Sequence, residues 1–158
     1  MKVISVLKRL GLVGAAISGF ALSPQAQEVR VSERKVPRAV VAAFKAAYPQ
    51  ATVRGYAREK EKGKVYYEVE SIEGQTTRDI LYNPDGTIAE IEESIAVNDL
   101  PAEAQQTLRT TYANAVVSKV ERLTRGDVVE YEAHVKLAKK RIEVKFDANG
   151  KQLLIARE

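Results

Sequence analysis

The second half of the sequence repeats the first at a fixed spacing, and this repeat constrains the fold more than any other feature. Residues 35–94 align without a gap on residues 99–158. A repeat of this kind indicates that one structural unit is present twice. Apolar residues, a helix-entry proline and a turn glycine recur; the matched pairs include Pro37/Pro101, Tyr48/Tyr112, Ala51/Ala115, Val53/Val117, Arg58/Arg122, Tyr67/Tyr131, Glu68/Glu132, Gly86/Gly150 and Ile91/Ile155.

Each copy begins with a helix signal. The dipeptides "VP" and "LP" place Pro37 and Pro101 at the start, where a residue without an N–H suits the first turn of a helix. Apolar residues then follow at helical spacing as far as Tyr48 and Tyr112. The sequence therefore predicts helices near residues 37–48 and 101–113.

The second part of each copy has the pattern of β-strands. In "KVYYEVESI" and "VVEYEAHV" apolar and polar residues alternate, which is typical of an antiparallel sheet with one packed and one wet face. In "NPDG" and "DANG", Gly86 and Gly150 predict hairpin turns. We therefore predict an α+β fold of two tandem units, each one helix packed on a four-stranded antiparallel meander. Unit 1 is residues 35–95 and unit 2 is residues 99–158, and the sequence leaves open how their sheets are placed.

Residues 1–26 have the order of a secretory signal peptide: a basic start with Lys2, Lys8 and Arg9, an apolar run, and a small polar end. The apolar run is shorter than the roughly 20 residues of a membrane span. Cleavage after Ala21 or Ala26 fits the small residues there, and an uncleaved N-terminal anchor is the alternative. We therefore predict a periplasmic or secreted bacterial protein with no stable membrane insertion after cleavage.

Charge and cysteine content exclude several classes of function. The chain has a net charge of +4, but residues 1–27 hold three of its 25 basic residues and no acidic one. The remainder is close to neutral, so the indication of nucleic-acid binding given by a basic chain is lost. The chain has no cysteine, which removes thiol catalysis and thiolate metal sites and makes the fold depend on its hydrophobic core.

The sequence offers no catalytic set. Its one histidine, His134, is predicted on the wet face of a strand beside Glu132, and no G-x-S-x-G element is present. The wet-face histidine is read as solvent-facing, with a pH-sensitive contact as the functional alternative. We predict a non-enzymatic protein without cofactor, metal site or catalytic residue. The carboxylates predicted on the wet faces are read as a solvated ladder rather than a glycosidase pair; they are Glu68, Glu70, Asp79, Glu90, Glu130, Glu132 and Glu143.

The stretches "VPRAVVAAFKAAYPQATV", "YYEVE" and "ILYNPDGTI" resemble the PepSY-like domain, also described as β-lactamase-inhibitor-protein-like. Unit 2 resembles it more loosely, since Pro49 becomes Ala113 and Tyr66 becomes Glu130. The resemblance implies an exported bacterial protein of two tandem α+β units, similar to the β-lactamase inhibitor proteins, which clasp an enzyme with an exposed sheet face. The broader group is associated with peptidase propeptides and protease inhibition.

These observations lead to one functional hypothesis and one alternative. The hypothesis is a protein-binding module that inhibits or regulates an envelope enzyme such as a peptidase through its wet face, with Tyr66 and Leu81 as exposed anchors. The alternative is an envelope sensor that binds a cation or small ligand on that acidic face. The sequence does not identify a partner or an oligomeric state. The predicted contact residues are Tyr66, Glu68, Glu70, Leu81, Glu132 and His134.

Overall fold

The structure, a computed structural model, describes residues 27–157, so the predicted signal peptide lies outside the described residues. The described residues contain two α-helices and nine strands. The nine strands form one antiparallel sheet in which they follow their order in the chain. Within residues 27–157, neither helix is long and apolar enough to cross a membrane. The elements are β1 (Gln27–Val31), α1 (Arg38–Ala47), β2 (Thr52–Glu61), β3 (Lys64–Glu73), β4 (Thr76–Tyr82), β5 (Ile88–Ser94), α2 (Ala102–Thr111), β6 (Val116–Arg125), β7 (Val128–Leu137), β8 (Lys140–Asp147) and β9 (Gln152–Arg157), with short 3-10 helices at Glu33–Lys35 and Val97–Asp99.

The α+β class is confirmed, but the expectation of two four-stranded sheets is wrong. The last strand of unit 1, β5, pairs with the first strand of unit 2, β6, from Ile91 opposite Thr124 to Ser94 opposite Glu121. Apart, β5 and β6 would each present a row of unpaired backbone N–H and C=O groups at a sheet edge. Joining the two edges satisfies those groups and produces a single nine-stranded sheet.

The sequence repeat holds through the whole described fold. Each helix, each strand and each short 3-10 helix of unit 1 has its counterpart in unit 2 at the spacing that separates Pro37 from Pro101, with small differences at the ends. Even the irregularities recur, since the register shifts between Val53 and Gly55 and again between Val117 and Lys119. The repeated sequence positions therefore encode one local structure, down to its β-bulges.

Strand β1 was not predicted, and it is an additional copy of a strand already in the repeat. In the β1–β2 ladder Glu28 lies opposite Glu59, and in the β5–β6 ladder Glu92 lies opposite Leu123. Glu28 and Glu92 are separated by the repeat spacing, and so are Glu59 and Leu123. Strand β1 therefore sits on β2 in the register that β5 adopts on β6. The chain thus contains the last strand of a unit three times, as β1, β5 and β9.

Both helices pack on the same face of the sheet, which we call the helix face. In unit 1, Val40 and Phe44 of α1 contact a cluster that includes Val69 and Ile80. In unit 2, Ala104 and Leu108 of α2 contact the equivalent cluster around Ala133 and Val144. The row that contains Val69 and Ile80 continues through Ile91 to Thr124, which places the two clusters on one side.

The hairpin turns bring two glycines against the helix starts. Gly86 has a φ of +89°, and a Cβ added there would lie 2.8 Å from the carbonyl oxygen of Ala39 in α1. Gly150 has a φ of +92°, and its added Cβ would lie 2.7 Å from the backbone nitrogen of Ala104 in α2. Glycine is needed at these positions both for the left-handed backbone and for the close packing of hairpin on helix.

We expect Gly86→Ala to destabilise the protein more than Gly74→Ala. Both glycines have positive φ, which costs an alanine roughly 1–2 kcal/mol, but a Cβ at Gly74 meets nothing within 4 Å. The clash with Ala39 should add about 1 kcal/mol or more to the loss at Gly86. Urea unfolding of both variants measures the difference. Equal losses would show that the hairpin does not pack tightly on α1.

Tyr82 provides a second test of the packing. Its side chain is fully buried, its hydroxyl has no hydrogen-bond partner among the described residues, and burial raises its pKa to about 12. The equivalent residue in unit 2 is Phe146. Since an unsatisfied buried hydroxyl costs free energy, Tyr82→Phe should stabilise the fold by about 1 kcal/mol.

The matched control is Tyr112→Phe, because the hydroxyl of Tyr112 donates to Oε1 of Gln152 at 3.3 Å. Loss of that bond should destabilise the protein by about 0.5–1 kcal/mol. Thermal and urea unfolding of the two variants compare the signs. A destabilised Tyr82→Phe variant would contradict the burial of an unpaired hydroxyl.

Candidate functional site

The face of the sheet opposite the helices is the candidate site, and we call it the outer face. No helix of the described residues packs on it, because α1 and α2 both cover the helix face. The expectation that its carboxylates form a solvated ladder is wrong for Glu68, Glu90 and Glu132, which are only 5%, 3% and 6% exposed. Across the sheet one row of this face contains Gly55, Glu70, Asp79, Glu92, Leu123, Glu130 and Asp147.

The outer face differs between the two units, although the scaffold repeats. Carboxylates dominate unit 1, whereas unit 2 mixes acidic, basic and apolar residues at the same positions. Arginines from the flanking strands reach two of the unit 1 carboxylates: Arg30 lies 2.6 Å from Glu70, and Arg125 contacts Glu90. The residues Glu59, Glu61, Glu70, Glu90 and Glu92 of unit 1 correspond to Leu123, Arg125, His134, Leu154 and Ala156 of unit 2.

Unit 2 carries two adjoining groups of charged side chains on three adjacent strands, which we together call the ion network: Lys119, Glu121 and His134, and Glu132, Glu143 and Lys145. Glu121 accepts from two sides, with Nζ of Lys119 at 2.6 Å and Nε2 of His134 at 3.0 Å. Lys145 contacts Glu132 and lies 3.5 Å from Glu143. Glu121 and Glu132 are directly opposite each other on β6 and β7.

The pKa values of the two central carboxylates, Glu121 and Glu132, shift in opposite directions although both groups are buried. Burial works to raise the pKa of Glu121, but the hydrogen bond from His134 and the charge of Lys119 outweigh it, so this pKa lies below its ordinary value. Burial raises the pKa of Glu132 to about 7, against the attraction of Lys145 and with the help of Glu143. The difference follows from the partners: Glu121 has Lys119 and the hydrogen bond from His134 to itself, while Glu132 shares Lys145 with Glu143.

The predicted contact residues of unit 1 all lie on the outer face. Tyr66 is half-buried and lies opposite Glu59, and Glu70 is paired with Arg30. Glu68 lies between Ala57 and Leu81 in its row. The expected exposure of Leu81 is wrong, since this residue is only 6% exposed. It lies on a central strand between the longer side chains of Glu68 and Glu90.

The predicted contact residues of unit 2, Glu132 and His134, come together in the ion network at the positions that Glu68 and Glu70 occupy in unit 1. The expectation of a solvent-facing His134 is wrong, because its side chain is only 17% exposed and its ring faces Glu121. Sequence reasoning missed Glu121, which is 2% exposed. It stands where unit 1 has Ala57, and such a change from alanine to a charged residue between two copies was the available signal.

Two groups of three carboxylates bring oxygen atoms within 4.8 Å of one another: Glu28, Glu68 and Glu70, and Asp79, Glu92 and Glu121. In each group one carboxylate already holds a cation of the protein. Arg30 lies 2.6 Å from Glu70, and Lys119 lies 2.6 Å from Glu121. Because a basic side chain already neutralises one carboxylate of each group, we do not assign either group as metal ligands.

The raised pKa of Glu132 predicts a pH-dependent stability. Between the ordinary glutamate pKa and about 7, the folded protein keeps a proton at Glu132 that the unfolded chain has lost. This group therefore lowers the free energy of unfolding as the pH rises through that window, by roughly 3 kcal/mol at most. Glu132→Gln removes the effect, so the variant should gain stability relative to the natural protein between pH about 5 and about 7.5.

Urea unfolding of the natural protein and of Glu132→Gln at pH about 5 and about 7.5 measures that relative gain in the free energy of unfolding. Glu130→Gln is the control, because Glu130 lies on the same strand and face but outside the ion network. The free energy of unfolding of Glu130→Gln should differ from that of the natural protein by the same amount at both pH values. A Glu132→Gln difference that does not change with pH would contradict a protonated Glu132.

Comparison with known proteins gives one family and a set of structures with the same fold. The family model described as "Putative beta-lactamase-inhibitor-like, PepSY-like" matches residues 23–88 and 65–154. A search of curated proteins found no match.

Among solved structures, a BLIP-like protein from Bacteroides fragilis is 21% identical, with a TM-score of 0.59 over 77% of this chain and 86% of that chain. A protein from Bacteroides eggerthii, described as "putative periplasmic", is 18% identical, with a TM-score of 0.64 over 77% of this chain and 88% of that chain. A DUF2874 family protein from Bacteroides uniformis is 16% identical, with a TM-score of 0.63 over 77% of this chain and 89% of that chain. At these identities the likeness concerns the fold.

Proposed function

The chain belongs to the PepSY-like, beta-lactamase-inhibitor-like family, and we propose that it is an exported, non-enzymatic module that binds another protein through the outer face of its sheet. The observation that carries this proposal is the one-sided placement of α1 and α2, which leaves a charged face of nine strands without a covering element among the described residues. A face of this kind suits recognition of a partner surface more than enclosure of a small substrate.

Export is proposed from the signal-peptide pattern of residues 1–26. The protein from Bacteroides eggerthii with the same fold is described as "putative periplasmic", which agrees with that proposal. The site for function would then be the periplasm or the exterior of a bacterial cell. A fold without cysteine is compatible with either place, because it needs no disulfide.

The contacts on the outer face favour binding over catalysis. A serine, threonine or cysteine nucleophile is commonly activated by an adjacent base such as histidine. The chain has no cysteine, and the ring of its one histidine faces the carboxylate of Glu121. The hydroxyl of Ser118 donates to the backbone carbonyl of His134, and not to its ring. The described side chains of the outer face thus form ion pairs, which recognise a charged surface.

Recognition by this face would combine the ring of one aromatic residue with the electrostatic attraction of the charged side chains around it. Tyr66 offers a ring on the outer face of unit 1, and tyrosine is enriched at protein interfaces. Glu68 and Glu70 beside it favour a partner with basic residues and speed the encounter. Leu81, being buried, would support Tyr66 and Glu68 from below rather than act as an anchor. Glu132 and His134 would extend the contact into unit 2.

The partner class that we propose is an envelope enzyme, such as a peptidase, that the module inhibits or regulates. Support for this comes from the family and from the width of the face, since a sheet of nine strands offers an interface of standard size. A cation-sensing role is less well supported, because Arg30 and Lys119 already occupy carboxylates in both acidic groups.

The test begins with affinity capture from an envelope extract, using the processed protein as bait, followed by measurement of the Kd of the captured partner. Tyr66→Glu should weaken binding at least about tenfold, because a charge replaces an aromatic contact on the outer face. The control is Glu103→Ala, an exposed substitution on α2 and therefore on the opposite side of the sheet. It should change the Kd less than about twofold.

Circular dichroism establishes that both variants are folded. A folded Tyr66→Glu variant that binds as tightly as the natural protein would refute the outer face as the binding surface. If the capture experiment yields no protein that binds this face, the binding function itself is refuted.

A further inference from the structure

The ion network brings two groups that can exchange protons at moderate pH onto one strand. Glu132 and His134 are next-but-one neighbours on β7 and point to the same side of the sheet. A glutamate in a buried, carboxylate-rich setting and a histidine are the side chains that titrate nearest neutral pH. Their proximity makes the network a candidate for regulation of the outer face by protons.

Charged residues face these two groups from both flanking strands. Glu132 is opposite Glu121 of β6 and Lys145 of β8. His134 is opposite Lys119 of β6 and Glu143 of β8. Along β7 itself the same face carries Glu130 and Lys136, and Arg141 lies opposite Lys136 on β8.

The contacts within the network are unevenly shared. Lys145 serves both Glu132 and Glu143, so one negative charge remains in excess when both carboxylates are ionised. A proton on Glu132 removes that excess. Glu121 lies 3.0 Å from the ring of His134 and favours the protonated imidazolium. Three carboxylates and two lysines give the network one net negative charge, and protons on Glu132 and His134 convert this to one net positive charge.

Unit 1 has no such arrangement at the same positions. The counterparts of the network residues contain no lysine and no histidine, so unit 1 keeps only carboxylates and small or apolar residues there. The pairing of a histidine with a glutamate that shares its lysine is therefore confined to unit 2. The six counterparts are Gly55, Ala57, Glu68, Glu70, Asp79 and Leu81.

We propose that the ion network is a two-proton switch whose own net charge reverses, from one negative to one positive, between weakly alkaline and weakly acidic pH. As regulation of binding, this rests on the function proposed above, and it makes affinity for a basic partner fall as the pH falls. The mechanism is electrostatic: the ion network turns from attracting a basic partner to repelling it.

The switch can be tested in the processed protein without a partner, by NMR titration from pH about 4 to about 9. The chain has one histidine, so its ring signals belong to His134 without further assignment. One glutamate carboxyl should titrate near pH 7 and be absent in Glu132→Gln. Because the substituted glutamine carries no charge, the midpoint of His134 should fall in that variant by at least about 0.3 pH units.

Glu68→Gln is the matched control, since Glu68 occupies the position of Glu132 in unit 1. It should leave the midpoint of His134 within about 0.1 pH units of the natural value. If no glutamate titrates between pH about 6 and about 8, or if Glu132→Gln leaves His134 unchanged, the switch is refuted.

The binding consequence is measured with the partner from the capture experiment. Its Kd should rise at least about tenfold from pH about 7.5 to about 5.5, and this change should shrink to under about threefold in the double variant Glu132→Gln with His134→Gln. A titrating network with a pH-independent Kd would overturn the regulation while leaving the proton uptake in place. Failure to capture a partner would overturn the function proposed above, and the titration alone would then decide the switch.

Discussion

The antiparallel ladder between β5 and β6 is the interaction on which the rest of the structure depends. A unit of about 60 residues buries too little surface to be very stable alone. The ladder joins the two units into one sheet and places Glu93 2.6 Å from Arg122 across the junction on the helix face. On the outer face it brings Arg125 of unit 2 onto Glu90 of unit 1. A continuous outer face exists only because this junction is hydrogen-bonded.

The duplication separates what the fold needs from what the outer face can vary. Most positions in the two apolar clusters keep their character in both units, as in the pairs Tyr67/Tyr131 and Tyr82/Phe146, because each helix packs on a similar set of apolar side chains. Positions on the outer face have diverged, so that Ala57 corresponds to Glu121 and Leu81 to Lys145. Buried ion pairs add little net stability compared with apolar packing, so folding stability alone does not account for this divergence.

The elements that the sequence predicted are those governed by local rules. Pro37 and Pro101 preceded the helices, Gly86 and Gly150 formed the turns, and the alternation around Tyr67 assigned the two faces correctly. The pairing of β5 with β6 joins residues that are distant in sequence, and nothing in either strand alone specifies it. The burial of Leu81 and the contact of His134 with Glu121 depend on neighbouring strands as well, so alternation predicted their face but not their exposure. Strand β1 was missed because so short a segment carries too little pattern.

The position of β1 on β2 has a consequence for how such sheets are built. Because β1 lies on β2 in the register that β5 has on β6, the same docking rule is used twice in one molecule. The sheet therefore has the sequence repeat as its structural period, and β1 occupies the place that the last strand of a preceding unit would have. A sheet of this kind can be lengthened by whole units without a new kind of interface, since each added unit pairs with its neighbour through the same antiparallel ladder. Gene duplication can thus lengthen the outer face in fixed steps while every core stays the same.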